Sequence, residues 1–156
     1  MKQKELKKSE VDKAPYLVWN ALVEIATSNP EELNDLQSVA YFTFWYDSEI
    51  QNGGFYQYFE NIFNRYKGKE SALISSTLEA LKIIGAKKQA EILTQASKQY
   101  FSKTRKHPST VEEFSEFALE AEFDKFDKLY YGCTPDMNNY LEIFLEKYQA
   151  EFVTLI

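Results

Sequence analysis

The sequence predicts an all-α fold, a single compact domain of about seven helices. Three observations carry that prediction. Apolar residues recur at three- and four-residue spacing through most of the 156-residue chain. Helix-start signatures stand in front of those runs. No segment alternates in the manner of an exposed strand. The length suits one ordinary domain, and 44% apolar with 27% charged residues describes a chain able to bury a core.

The elements follow in order. Residues 1–13 are polar and charged and are expected to form a frayed or briefly helical lead-in, with the domain proper over 14–156. Pro15 suits a first helical turn, and Tyr16, Trp19, Val23 and Ala26 then recur at helical spacing up to Ser28. Asn29-Pro30-Glu31-Glu32 resembles a capped start, so a second helix is expected from Pro30. It carries Leu33, Leu36, Val39, Ala40 and Phe44 and is apolar on nearly all sides from Val39 to Tyr46, which marks it as the central helix. Asn52-Gly53-Gly54 should end it, the glycines supplying positive φ at the break. Gly53→Val is expected to cost stability for that reason. A third helix then carries Phe55, Tyr58, Phe59, Ile62 and Phe63.

Residues 66–69 read as a linker. A fourth helix spans about Glu70 to Ile84, stopped by Gly85, and a fifth about Ala86 to Phe101. Residues 102–109 form a basic loop broken by Pro108. Thr110-Val111-Glu112-Glu113 opens a sixth helix that runs toward Tyr131. Its apolar register shifts near Phe123, which leaves two short helices open as the alternative. A last helix follows Thr134-Pro135, with Met137, Tyr140, Leu141, Phe144, Leu145, Tyr148 and Phe152 on one side.

The densest segment is 41–59, where nine of 19 residues are aromatic. At its centre lie Glu49, Asn52, Gly53, Gly54, Phe55, Gln57, Phe59 and Asn61. Helix, double glycine and helix read as a sharp corner, with the asparagines suited to exposed backbone groups and Gln57 in need of a partner. Asn52, Gly53, Gly54, Phe55, Gln57, Phe59 and Asn61 are therefore assigned to shape. An aromatic ligand pocket near 41–59 is the alternative.

The pattern Glu49-x-x-Asn52-Gly53-Gly54-Phe55-x-Gln57-Tyr58-Phe59-x-Asn61 resembles the signature of a bacterial family first catalogued as a domain of unknown function, one member of which is described as a DNA mimic. Ala80-Leu81-x-x-Ile84-Gly85-Ala86, Phe123-x-x-Phe126-Asp127-x-x-Tyr130-Tyr131, and the stretch from Asp136 to Phe152 resemble its later segments in the same order. The resemblance covers roughly residues 14–153. It implies an all-α fold, a capacity for dimers and no known catalytic residues. For the mimic member it implies a carboxylate surface that imitates DNA phosphates and occupies the DNA-binding face of a regulator.

Charge bears on that expectation. The net charge is −6, which argues against direct nucleic-acid binding. Between residues 14 and 64 there is no Lys or Arg, and the acids there are Glu24, Glu31, Glu32, Asp35, Asp47, Glu49 and Glu60. These seven are the expected partner-binding surface. A second acidic stretch holds Glu112, Glu113, Glu116, Glu120, Glu122, Asp124 and Asp127, and Lys98, Lys103, Arg105 and Lys106 make a basic patch between the two. Duplex DNA as long as a Pro30–Ile50 helix, roughly 31 Å, carries on the order of 18 charges against five on that helix. A mimic would need both acidic stretches on one face, or a dimer.

Catalysis is not expected. One His, His107, and one Cys, Cys133, exclude two-His metal motifs, a Cys-rich zinc site and an internal disulfide. His107 is expected to be exposed in its basic loop. No phosphate-binding glycine motif is present, and the carboxylate pairs read as solvated helix surface. No cofactor or metal is expected. The absence of an export signal or apolar span and the unpaired Cys point to the cytoplasm, with no membrane partner. The sequence thus reads as a regulator that binds a basic DNA-binding protein or another protein partner, with a homodimer open. A small-molecule-binding or enzymatic helical domain is the alternative.

Overall fold

The computed structural model describes residues 3–156. Among these, eight α-helices and one pair of short strands are ordered β1 (Lys4–Leu6), α1 (Lys8–Val11), α2 (Tyr16–Ala26), α3 (Asp35–Arg65), α4 (Glu70–Ile84), α5 (Lys87–Tyr100), α6 (Val111–Ala118), α7 (Asp124–Tyr131), α8 (Met137–Lys147) and β2 (Val153–Leu155). The all-α class holds. α3 is the central element, with α2, α4, α7 and α8 packed on it.

Asn29 does accept from the Glu31 N–H, but it opens only a 3-10 turn, Pro30–Glu32. The central helix starts at Asp35, where Asn34 and Gln37 form a reciprocal capping box. The Gln37 side chain is buried and donates to the Glu151 carbonyl at 2.7 Å, so this start is fixed by the chain's C-terminal end. An Asn followed three residues later by Glu32 or Gln37 resembles a cap in either place; the tertiary partner decides.

The expected break inside 52–54 is a kink within α3. Only Gly54 departs from helical geometry, at φ 74° and ψ −172°. That conformation belongs almost solely to glycine. Gly53 stays helical, which corrects the expectation that it supplies positive φ; a Cβ there would instead meet the Gln57 side chain. Of the two readings of the sixth segment, one long helix or two short ones, the structure has the second: α6 and α7, divided at Ala121, whose φ is 57°.

The polar lead-in is not simply frayed. β1 pairs in parallel with β2, Lys4 opposite Val153 and Leu6 opposite Leu155, which ties the two ends of the described chain together. α8 ends at Lys147, and Phe152 is buried from the turn that follows.

The core has two parts. One gathers the rings of Tyr46, Phe55, Tyr58, Phe59, Phe123, Phe126 and Tyr130 around the kink. The other joins Leu22, Ile25 and Ala26 of α2 to Ala40, Phe144, Leu145 and Phe152. No helix among the described residues is long and apolar enough to cross a membrane.

Candidate functional site

The motif segment is a braced corner. Where Gly54 turns the backbone, the Phe55 N–H donates to Asp127 Oδ1 of α7 at 2.8 Å. A Cβ on Gly54 would stand 2.5 Å from Asp127 Oδ2, so the glycine is needed for both its conformation and its emptiness. Two further α7 side chains hold the first half of α3. Tyr130 Oη donates to Asp47 Oδ1 at 2.6 Å, and Tyr131 Oη donates to the Ile50 carbonyl at 2.7 Å. On the other side of the kink, Gln57 and Asn61 both donate to Glu49 Oε2. Phe55 and Phe59 are fully buried. Burial is the leading influence on Asp47 and Asp127, and it raises both carboxyl pKa values. It also pushes the Tyr130 phenol far upward. Asn52 is exposed. The aromatic residues of 41–59 interlock with one another and with rings of α5 and α7: Tyr46 contacts Phe55, Tyr58 and Tyr130, and Phe59 stacks on Tyr100 at 4.5 Å.

This geometry divides the seven acids selected from the sequence. Glu60 is only 2% exposed. It faces inward, so it offers no surface to a docking protein. Asp47 and Glu49 are half-buried and occupied as acceptors at the corner. Glu24 is exposed but pairs with Lys4. Glu31, Glu32 and Asp35 are exposed together just before and at the start of α3. Beside them runs a groove of about 360 Å³ between α3 and α4, with Asp35 and Glu79 on its walls and Val39, Phe42 and Ala80 among its apolar lining. No Lys or Arg is among the lining residues, and Ile83 stands 56% exposed at the groove. Glu79 lies outside the Lys- and Arg-free window, and only the packing of α4 on α3 brings it to these acids.

The second acidic stretch divides in the same way. Asp127 belongs to the corner. Glu113 accepts from the Ser109 N–H and hydroxyl, and these bonds hold its carboxyl below the usual range. Glu122 takes both guanidinium nitrogens of Arg105 at 2.6 Å, which lowers its pKa. Glu112, Glu116, Glu120 and Asp124 are exposed. Arg105 is no free member of a basic patch. Its side chain is 9% exposed, it donates to the Gln99 and Tyr100 carbonyls at the end of α5, and it lies over the Tyr100 and Phe123 rings.

His107, expected to be exposed, is stacked on Phe63 with ring centroids 3.4 Å apart. Its Nδ1 is 2.9 Å from Glu60 Oε2, so the loop is pinned to α3. Neither residue carried a local signal, since they lie 47 positions apart. Among the described residues, no group of three or more His, Cys, Asp or Glu is placed to hold a metal ion.

No curated protein and no solved structure matches the chain. A family model described as DMP19-like protein matches residues 31–149, a span that begins at the exposed acids and contains the kink, the basic loop and all three helices after it. A match across three quarters of the sequence, with the braced corner inside it, places this chain in the DMP19-like protein family.

Proposed function

We propose that the chain is a non-catalytic regulator that binds a protein partner through an acidic surface, and that it acts as a DNA mimic toward a basic DNA-binding protein. The observation that carries this reading is the pair Asp35 and Glu79 on the walls of the α3–α4 groove, whose lining contains no Lys or Arg, with Glu31 exposed just before α3. Membership of the DMP19-like family supports it. Among the described residues neither Glu31 nor Asp35 forms an ion pair, so their charge is available to a partner. Glu31, Asp35 and Glu79 together match the charge on about 5 Å of duplex. One copy therefore imitates a short run of phosphates, and a longer imitation needs the exposed acids of α6 and α7 or a second copy. An acidic patch of this size speeds encounter with a basic protein and is screened by salt.

The test is capture from a lysate at low and moderate salt, with bound proteins identified by mass. Capture of a basic DNA-binding protein that weakens with salt and is competed by duplex DNA supports the reading. The double reversal Glu31→Lys with Glu79→Lys should leave the melting temperature unchanged and abolish capture. Capture that survives the reversal at low salt removes this patch from the interface, and capture that duplex DNA cannot displace removes mimicry.

A further inference from the structure

A second cleft, of about 170 Å³, lies between α3, the basic loop and the end of α6, lined by Tyr56, Glu60, Lys103, Lys106, Phe117 and Glu120 among others. Two buried polar groups belong to its wall. Tyr56 Oη is shut off from solvent and has no hydrogen-bond partner among the described residues. Glu60 is 2% exposed, and His107 Nδ1, at 2.9 and 3.2 Å from its two oxygens, is its one donor among the described residues. A carboxylate has about four acceptor positions, and a buried polar group left without a partner is destabilising. Both groups are therefore places where a ligand's donor would be held.

The rest of the lining is of mixed sign. The Glu122 charge is met by Arg105 at 2.6 Å and Lys103 at 3.5 Å. Glu120 and Lys106 are exposed and form no ion pair among the described residues, and Lys106 lies over the Phe117 ring. A simple anion would meet Glu60 and Glu120. A simple cation would meet Lys103 and Lys106. A molecule carrying both charges satisfies both sides. The roof suits entry, because α6 buries none of its residues and the turn that follows it passes through the left-handed Ala121.

We propose that this cleft binds a small zwitterion of the α-amino-acid type, its ammonium held by Glu60 and Tyr56 Oη and its carboxylate by Lys106. The size of the cleft limits the ligand to a single amino acid, and the rings of Tyr56 and Phe117 offer its side chain an apolar wall. This binding does not depend on the acidic patch at α3 and α4.

The experiment is titration of the full chain with each standard amino acid, followed by calorimetry and by amide chemical shifts, with methylamine and acetate as half-ligands. At least one amino acid should bind about tenfold more tightly than either half-ligand, with shifts confined to residues 56–60 and 103–122. Tyr56→Phe removes a hydroxyl that bonds to nothing in the unliganded chain. It should leave melting unchanged and weaken binding about tenfold. Lys106→Ala should weaken the amino acid while leaving methylamine unaffected. The proposal is overturned if no amino acid moves these resonances at millimolar concentration, if methylamine or acetate alone binds as tightly, or if Tyr56→Phe binds as the parent does.

Discussion

α6 and α7 are neighbours of equal length, eight residues each, both rich in acid and in aromatic rings, yet they are attached to the molecule in opposite ways. α7 buries Phe126 and Tyr130 and sends Asp127, Tyr130 and Tyr131 into the kink of α3. α6 buries nothing and spends its capping acid, Glu113, on its own N-terminus. It touches α3 through the Phe114 ring against Tyr56, 5.1 Å between centroids. Composition does not separate the two. What separates them is whether the polar atoms find partners on another element to serve. At the kink, Gly54 frees an N–H, and α7 supplies its acceptor. An acid near such a group becomes structure, and the same acid on α6 stays available to solvent or a partner.

The sharpest way to break that contrast is at the kink. Gly54→Val forces a side chain into a conformation nearly reserved for glycine and drives it against Asp127, 2.5 Å away. The expected loss is about 2–5 kcal/mol, from the backbone and the displaced acceptor together, read by urea denaturation. Gly53→Ala should cost less, because the crowding there is with the flexible end of Gln57. Equal losses at the two positions would mean that the corner is not built on Gly54.

Asp127→Ala removes the acceptor alone and should cost about 1–2 kcal/mol. Asp127→Asn tests the electrostatics. Burial raises the Asp127 pKa above its ordinary 3.8, so the folded state holds the proton more tightly than the unfolded chain does. That contribution is fully present below 3.8 and is lost as pH rises through the folded value. The stability of the Asn variant relative to the parent should therefore be greater at pH 7 than at pH 3. A constant difference would show that the carboxyl is not desolvated.

Much of this corner was legible in the sequence, and its partner was not. Helical spacing and two adjacent glycines located a bend, and the order of the later segments suggested that they belong to one design. Gln57 and Asn61 lie eight and twelve residues after Glu49, too far along a straight helix to reach it, and only the kink at Gly54 brings them to its carboxylate. Nothing local joins Phe55 to Asp127, 72 positions away. Nor does a good helix former such as Ala121 announce a left-handed break between α6 and α7. The acidic window misled for a related reason. A run without Lys or Arg measures composition, whereas exposure depends on which donors inside the fold need an acceptor. Asp47, Glu49 and Glu60 had such work inside the fold, and Glu79 reached the surface patch only through packing. The three-residue strands failed to show because Lys-Glu-Leu is too short and polar to alternate visibly.

The α6 side answers to acid in the opposite sense. The Arg105 pair holds the Glu122 pKa below its ordinary 4.5, so its contribution is present above that value and is lost as pH falls through the folded one. Hydrogen-exchange protection factors across 102–122, corrected for the intrinsic rate at each pH, should therefore fall on acidification while those of 47–59 hold. Arg105→Lys at neutral pH should reproduce part of that loosening, since an ammonium cannot make the two-pronged contact at 2.6 Å and also reach the α5 carbonyls. A uniform fall in protection along the chain would mean that α6 and α7 open as one unit.

The smallest expected effect lies on α6 itself. Leu119 is 84% exposed at its end, and Leu119→Ser removes an apolar side chain that already faces water. Stability should change by no more than about 0.5 kcal/mol. The same substitution type at Phe126, 3% exposed on α7, removes a ring from the aromatic core and should cost several times more. If Leu119→Ser instead lowers stability as a core change does, α6 is packed more firmly than its exposure indicates. The difference between the two helices would then lie in their hydrogen bonds alone.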